Sequence, residues 1–206
     1  MKVAVIGGTG SFGLACARRL REAGHDVVIG SRDAARAAAA AAEVGVEGAT
    51  NADAARAADL VVLATKAEAA LQTAGELREA IGATPVLSVA AELRFAPEGV
   101  LPTPEATSIA ERIQAVVDAP VVAGLHSLAA RNLGAEEAPD EDALVCGDDV
   151  DAKALVTELA EGMTSGRVVD CGPLASARAL EGLTAVIVNV NKRYRAHAGI
   201  RVTGLR

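Results

Sequence analysis

Short β-rich apolar runs alternate along this chain with Ala-rich stretches whose apolar positions recur at helical spacing. The runs Lys2–Ile6, Asp26–Gly30, Leu60–Ala64, Pro85–Val89 and Val121–Leu125 predict strands, and Ala143–Cys146 and Arg167–Cys171 predict two more. Between them the pattern predicts helices over Ser11–Ala23, closed by Gly24, and over Asp33–Val44, with Asp33 as N-cap. Further helices follow over Asn51–Ala58, Lys66–Ile81, Thr107–Val117 and Asp151–Gly162. Arg94–Pro104 holds three of the seven prolines and reads as a loop. The last helix runs from Leu174 to about Tyr194. Its segment Leu183–Val190 is apolar almost all round, which calls for burial on several sides, between domains or in a dimer contact. Strands alternating with helices predict an α/β fold built on a doubly wound parallel sheet.

Composition narrows this picture. With 206 residues, 51% of them apolar, the chain can bury one good-sized core, or one large domain with a small appendage. Phe12, Phe95 and Tyr194 are its only aromatic residues, so Ala, Val and Leu must fill the core, and a site built on aromatic stacking is disfavoured. A net charge of -7 makes nucleic acid a poor partner. Yet Gly182–Arg206 has no acidic residue and carries Lys192, Arg193, Arg195, Arg201 and Arg206, which reads either as a local anion site or as a solvated basic tail. Cys16, Cys146 and Cys171 form no metal or redox spacing and read as small buried side chains in a reducing compartment. Asp148, Asp149 and Asp151 precede a helix and read as capping residues, and no metal is expected. The N-terminal apolar run is too short for a signal peptide or a membrane span. The expectation is a cytoplasmic protein with no membrane partner.

The chemistry is concentrated where the first strand runs into Gly7-Gly8-Thr9-Gly10-Ser11-Phe12-Gly13. Gly8, Gly10 and Gly13 fit G-x-G-x-x-G between a strand and an amphipathic helix, the context in which that spacing binds a dinucleotide. On this reading Gly8 allows the tight turn, Gly10 admits the pyrophosphate and Gly13 lets the helix pack on the strand. The free N–H groups and the helix dipole would then meet the phosphates. An NAD site usually ends its second strand in Asp or Glu, but here the strand ends Gly30-Ser31-Arg32. Ser31, Arg32 and Arg36, one helical turn on, suit the 2′-phosphate of NADP(H) instead.

Several segments taken together resemble the NADPH:F420 oxidoreductase family. They are Val5–Gly13, Ala23–Arg32, Leu125-His126-Ser127, Val145–Asp149, Asp170–Arg178 and Asn191–Arg201. The resemblance implies a Rossmann-like NADP-binding domain over residues 1–172. It also implies a small, mainly helical C-terminal domain over 173–206 that carries the deazaflavin site and a homodimer contact. The implied activity is hydride transfer between NADP(H) and coenzyme F420. Thr9, Gly10, Ser11, Phe12, Ser31, Arg32 and Arg36 would hold NADP, with Thr65 and Ala130 near its nicotinamide half. His126, Arg178 and Thr184 would form the catalytic surroundings of the deazaflavin. Many members carry Pro-Trp where this chain has Thr65-Lys66, and a Pro shortly after the His126 position, where it has Leu128-Ala129-Ala130.

Two other readings stand beside this one. Lys66 or His126 could serve as proton donor in a carbonyl or imine reductase. A module that senses NADPH without turnover is the other. His126 could equally be a packing residue at a strand end, Arg178 a surface salt bridge and Lys66 a solvated helix start.

Overall fold

The computed structural model describes residues 1–205, so Arg206 of the basic stretch lies outside the described residues. The chain opens with β1 (Lys2–Ile6), α1 (Ser11–Glu22), β2 (Asp26–Ser31), α2 (Ala34–Val44), β3 (Glu47–Thr50) and α3 (Asn51–Arg56). It continues through β4 (Leu60–Leu63), α4 (Ala67–Glu76), α5 (Arg78–Ile81), β5 (Val86–Ser88), β6 (Leu93–Ala96) and β7 (Gly99–Pro102). The remaining elements are α6 (Ile109–Gln114), β8 (Val121–Gly124), α7 (Ala130–Leu133), β9 (Ala143–Gly147), α8 (Val150–Glu161), β10 (Val168–Asp170) and α9 (Ala177–Tyr194).

The sheet runs β10-β9-β8-β5-β4-β1-β2-β3. From β3 to β8 every pairing is parallel, and the order reverses between β1 and β4, the point at which Rossmann-like sheets open a crevice. Residues alternate between two cores. Val3, Val5, Val27, Ile29, Val62 and Leu87 face α1, α2 and α8. Ala4, Ile6, Val28, Val61, Leu63 and Val86 face α3, α4, α6 and the start of α9. A strand buried on both faces explains why these runs read as continuous apolar segments.

Four differences from the sequence reading have physical causes. The sheet is not wholly parallel, because β9 pairs antiparallel with β8. The connection between them carries no helix longer than the single-turn α7 to return it across the sheet, and the chain turns back along its neighbour. β3 was not expected, since Glu47 and Gly48 are exposed at the sheet edge and give no apolar signal. The supposed loop at Arg94–Pro104 contains the hairpin β6–β7, which tolerates Pro102 at its last paired position. Of the two settings expected for Leu183–Val190, burial within the chain is incomplete: Ala185 and Ile187 are buried, but Val186 is 55% exposed.

Cys16 and Cys146 are buried and Cys171 is half-buried, all three as free thiols. Asp149 caps α8 by accepting from Ala152 N, and Asp148 accepts from Leu174 N. No described helix is long and apolar enough to cross a membrane.

Candidate functional site

The turn after β1 is built by its own backbone. Gly8 N donates to Val5 O at 3.2 Å and Gly10 N to Gly7 O at 3.1 Å. The positive φ falls on Gly7, at 80°, and not on Gly8, so the tight-turn role assigned to Gly8 belongs to its neighbour. Gly8 and Gly13 serve close packing instead. A Cβ on Gly13 would lie 2.6 Å from Gly8 Cα, and one on Gly8 2.8 Å from Ile29. Gly10 is different, since a Cβ there would meet nothing nearer than Gly7 O at 3.6 Å. The protein itself therefore does not require glycine at position 10, and space lies open above it.

α1 has no side-chain N-cap, as α4, α5, α7 and α9 have none, and no acidic residue in its first turn. Its first N–H groups and its dipole are left facing the crevice. Here a cleft of about 330 Å³ is lined by Gly7, Thr9, Gly10, Ser31, Arg32, Arg36, Asn51, Thr65 and Lys66 on one side and the α4 residues Gln72, Thr73 and Glu76 on the other. Arg32, Arg36 and Lys66 form no ion pair among the described residues. Of the acidic groups in the cleft, Asp33 is engaged as the α2 N-cap, and Glu76 Oε1 accepts from Gln72 Nε2 at 2.7 Å. In a chain of charge -7, this local excess of free cations is an anion site in electrostatic terms.

Further along the carboxyl edge, three buried polar atoms lack a hydrogen-bond partner among the described residues: Thr65 Oγ1, Ser88 Oγ and His126 Nδ1. They stand at or just beyond the ends of the adjacent strands β4, β5 and β8. His126 Nε2 lies 3.1 Å from Ala90 O, which fixes the proton on Nε2 and leaves Nδ1 as an acceptor. Burial lowers its pKa to about 4, against which the bond to Ala90 works only weakly. Leu125, just before it, is buried with φ of 65°, a conformation non-glycine residues rarely adopt, and it redirects the chain at the strand end. Thr184 of α9 donates to His126 O at 3.3 Å, so α9 is tied to the same spot.

Of the residues singled out in the sequence, the cleft thus gathers Thr9, Gly10, Ser31, Arg32, Arg36 and Thr65, and a second cluster gathers His126 and Thr184. Ser11 borders a smaller groove beside Leu14 and Gly134, Phe12 packs against the core, and Ala130 opens α7. Arg178 stands apart: it is exposed, and its Nε donates to Glu105 O at 2.8 Å. In the basic stretch Arg201 is paired with Asp140 at 2.6 Å, and Lys192 lies 5.4 Å from the Phe95 ring centroid. Asn51, Gln72 and Glu76 were not anticipated. The spacing of Gln72 and Glu76 at i,i+4 could have flagged a shared helix face, but Asn51 depended on the unseen β3.

Comparison with known proteins agrees with this geometry. Residues 2–92 match the family described as NADP oxidoreductase coenzyme F420-dependent. The F420-dependent NADP reductase of Methanothermobacter thermautotrophicus is 37% identical over 100% of this chain and 96% of its own length. That of Methanocaldococcus jannaschii is 34% identical over 100% and 99%. Among solved structures, a candidate F420-dependent NADP reductase from Arthrobacter sp. superposes with a TM-score of 0.88 at 28% identity, covering 99% of this chain and 100% of its own.

Proposed function

The chain belongs to the family of F420-dependent NADP reductases, and from that premise we propose how its residues divide the work of hydride transfer between NADP(H) and coenzyme F420. The enzyme is an oxidoreductase acting on that pair. The observation that carries the nucleotide assignment is the cleft itself, with an uncapped helix, open space over Gly10 and unpaired cations at the end of β2.

In this reading Thr9, Gly10, Ser11 and Phe12 receive the pyrophosphate on main-chain N–H groups, with Gly8 and Gly13 holding turn and helix together. Ser31, Arg32 and Arg36 take the 2′-phosphate. Thr65 and Ala130 border the nicotinamide half. When bound, the two ring systems themselves supply hydride donor and acceptor. The protein's task is alignment and exclusion of water. His126 offers a neutral acceptor at Nδ1 toward the deazaflavin, and Thr184 positions it through its carbonyl. Arg178 would meet the anionic part of F420 with its terminal guanidinium N–H groups while its Nε stays on Glu105 O.

The carbonyl or imine reductase reading finds in neither of its candidates a charged and desolvated proton donor. His126 is neutral at physiological pH, and Lys66 is exposed rather than desolvated. We further assign residues 1–172 to the NADP-binding domain and 173–206 to the segment that carries the deazaflavin site and a homodimer contact. Exposed Val186 and Tyr194 on α9 and Phe95 on the adjoining hairpin supply an apolar surface for that contact. Three free thiols suit the cytoplasm.

The test is turnover. NADPH mixed with F420 and the protein should bleach the deazaflavin absorbance, NADH should do so far more slowly, and ketones or imines should not oxidise NADPH. NADPH oxidation by an imine with F420 left intact contradicts the reading.

A further inference from the structure

Ser31 and Thr50 are register partners where β2 and β3 end side by side. Asn51 follows as the first residue of α3, next to Arg32 at the carboxyl edge, and lines the same cleft as Ser31, Arg32 and Arg36. Its Oδ1 is buried and has no hydrogen-bond partner among the described residues. The amide rests on Gly30: a Cβ there would come within 2.9 Å of that oxygen. Gly30, the last residue but one of β2, therefore lacks a side chain where Asn51 needs room. A buried acceptor left without a donor carries a desolvation penalty that a bound ligand's donor would recover.

Resting on the nucleotide reading above, we propose that Asn51 is a specificity-determining residue that accepts the 3′-hydroxyl of the adenosine ribose. With the 2′-phosphate on Ser31, Arg32 and Arg36, the hydroxyl on the neighbouring carbon is the nearest ligand donor, whereas the adenine amino group lies at the far edge of the base. In NAD sites one carboxylate holds both ribose hydroxyls. A carboxylate beside a 2′-phosphate would repel it, and a neutral amide accepts the remaining hydroxyl without that penalty. Its Nδ2 is free to donate to the phosphate at the same time. Ribose recognition is thus divided between cations for the 2′-position and an amide for the 3′-position.

Calorimetric titration of the full chain with 2′,5′-ADP and with its 3′-deoxy analogue tests this. The wild type should prefer the hydroxyl-bearing ligand by about tenfold, and Asn51→Ala should bind the two alike. Asn51→Asp should lose about tenfold or more for 2′,5′-ADP while NADH binding holds or improves. Asp is well tolerated in a first helical turn, so this variant gives the answer if the alanine variant does not fold. Retained discrimination in Asn51→Ala, or unchanged 2′,5′-ADP affinity in Asn51→Asp, overturns the assignment and leaves Asn51 as packing against Gly30. The Arg32→Ala/Arg36→Ala variant run in parallel separates the two levels. If it loses 2′,5′-ADP while the Asn51 variants do not, only this inference falls. If it binds 2′,5′-ADP undiminished, the nucleotide reading falls.

Discussion

At the end of β8, burial keeps the His126 imidazole neutral down to about pH 4. With its Nε2–H committed to Ala90 O, the neutral ring has only an acceptor left at Nδ1, and the proposed reading therefore draws the deazaflavin's proton from solvent. Hydride transfer at saturating NADPH and F420 should therefore show no histidine ionisation between about pH 5 and 8. An inflection near pH 6.5 that vanishes in His126→Gln would show that the ring does titrate. The same burial affects stability. The folded pKa lies below the unfolded value of 6.5, so the unfolded chain binds the extra proton, and stability falls as pH drops from 6.5 toward 4. The loss is on the order of 3 kcal/mol. Urea unfolding of wild type and His126→Gln at pH 7 and pH 4.5 checks it: the variant should lose less on acidification. Sequence alone left this residue undecided between packing and proton transfer, because the deciding quantity is its desolvation by neighbours distant in the chain.

Among the elements, the glycine turn was the most legible, because strand, spacing and helix all agree locally. Its internal division of labour was not legible, since φ and close approach depend on Ile29 and on the path between β1 and α1. That division gives a paired prediction. Gly10→Val should leave the melting temperature nearly unchanged yet abolish NADPH binding. Gly13→Val, which drives a side chain into Gly8 and Gly7, should unfold or strongly destabilise the chain by thermal denaturation. Equal melting temperatures for the two would contradict the packing account. β3 shows the opposite case: an edge strand with an exposed Glu-Gly start carries no periodic signal, and although Asn51 was expected to open a helix, its place in the cleft was hidden. α6 is a third case. Its N-terminus is capped by Ser108 and also by Glu181 of α9, which accepts from Ile109 N and Ala110 N at 3.1 and 3.2 Å. Burial raises the Glu181 carboxyl to about 7 despite these bonds. Glu181→Ala should cost about 1–3 kcal/mol in chemical denaturation, by orphaning two buried donors.

For the molecule as a whole, the C-terminal segment is bound to the sheet rather than trailing from it. Asp142 is fully buried and is held down to about pKa 2, first by the backbone N–H of Arg167 and further by Val202 N and the Arg167 guanidinium. Asp142 N in turn donates to Ile200 O at 2.7 Å. The basic stretch is thereby fixed against the same sheet that carries the cleft, and α9 links both to His126. Val186 and Tyr194 on α9 and Phe95 on the hairpin are exposed large side chains of this segment. On the homodimer contact proposed above, a Val186→Asp/Tyr194→Asp variant should elute as a monomer and the wild type as a dimer, by light scattering after gel filtration.

The measurement that bears most directly on the account is a side-by-side titration of NADPH and NADH into the wild type and the Arg32→Ala/Arg36→Ala variant. The arrangement at the end of β2 predicts that the variant loses about 100-fold or more for NADPH and little for NADH. Equal losses for both nucleotides, or none for either, would contradict the claim that these cations choose the phosphorylated ribose.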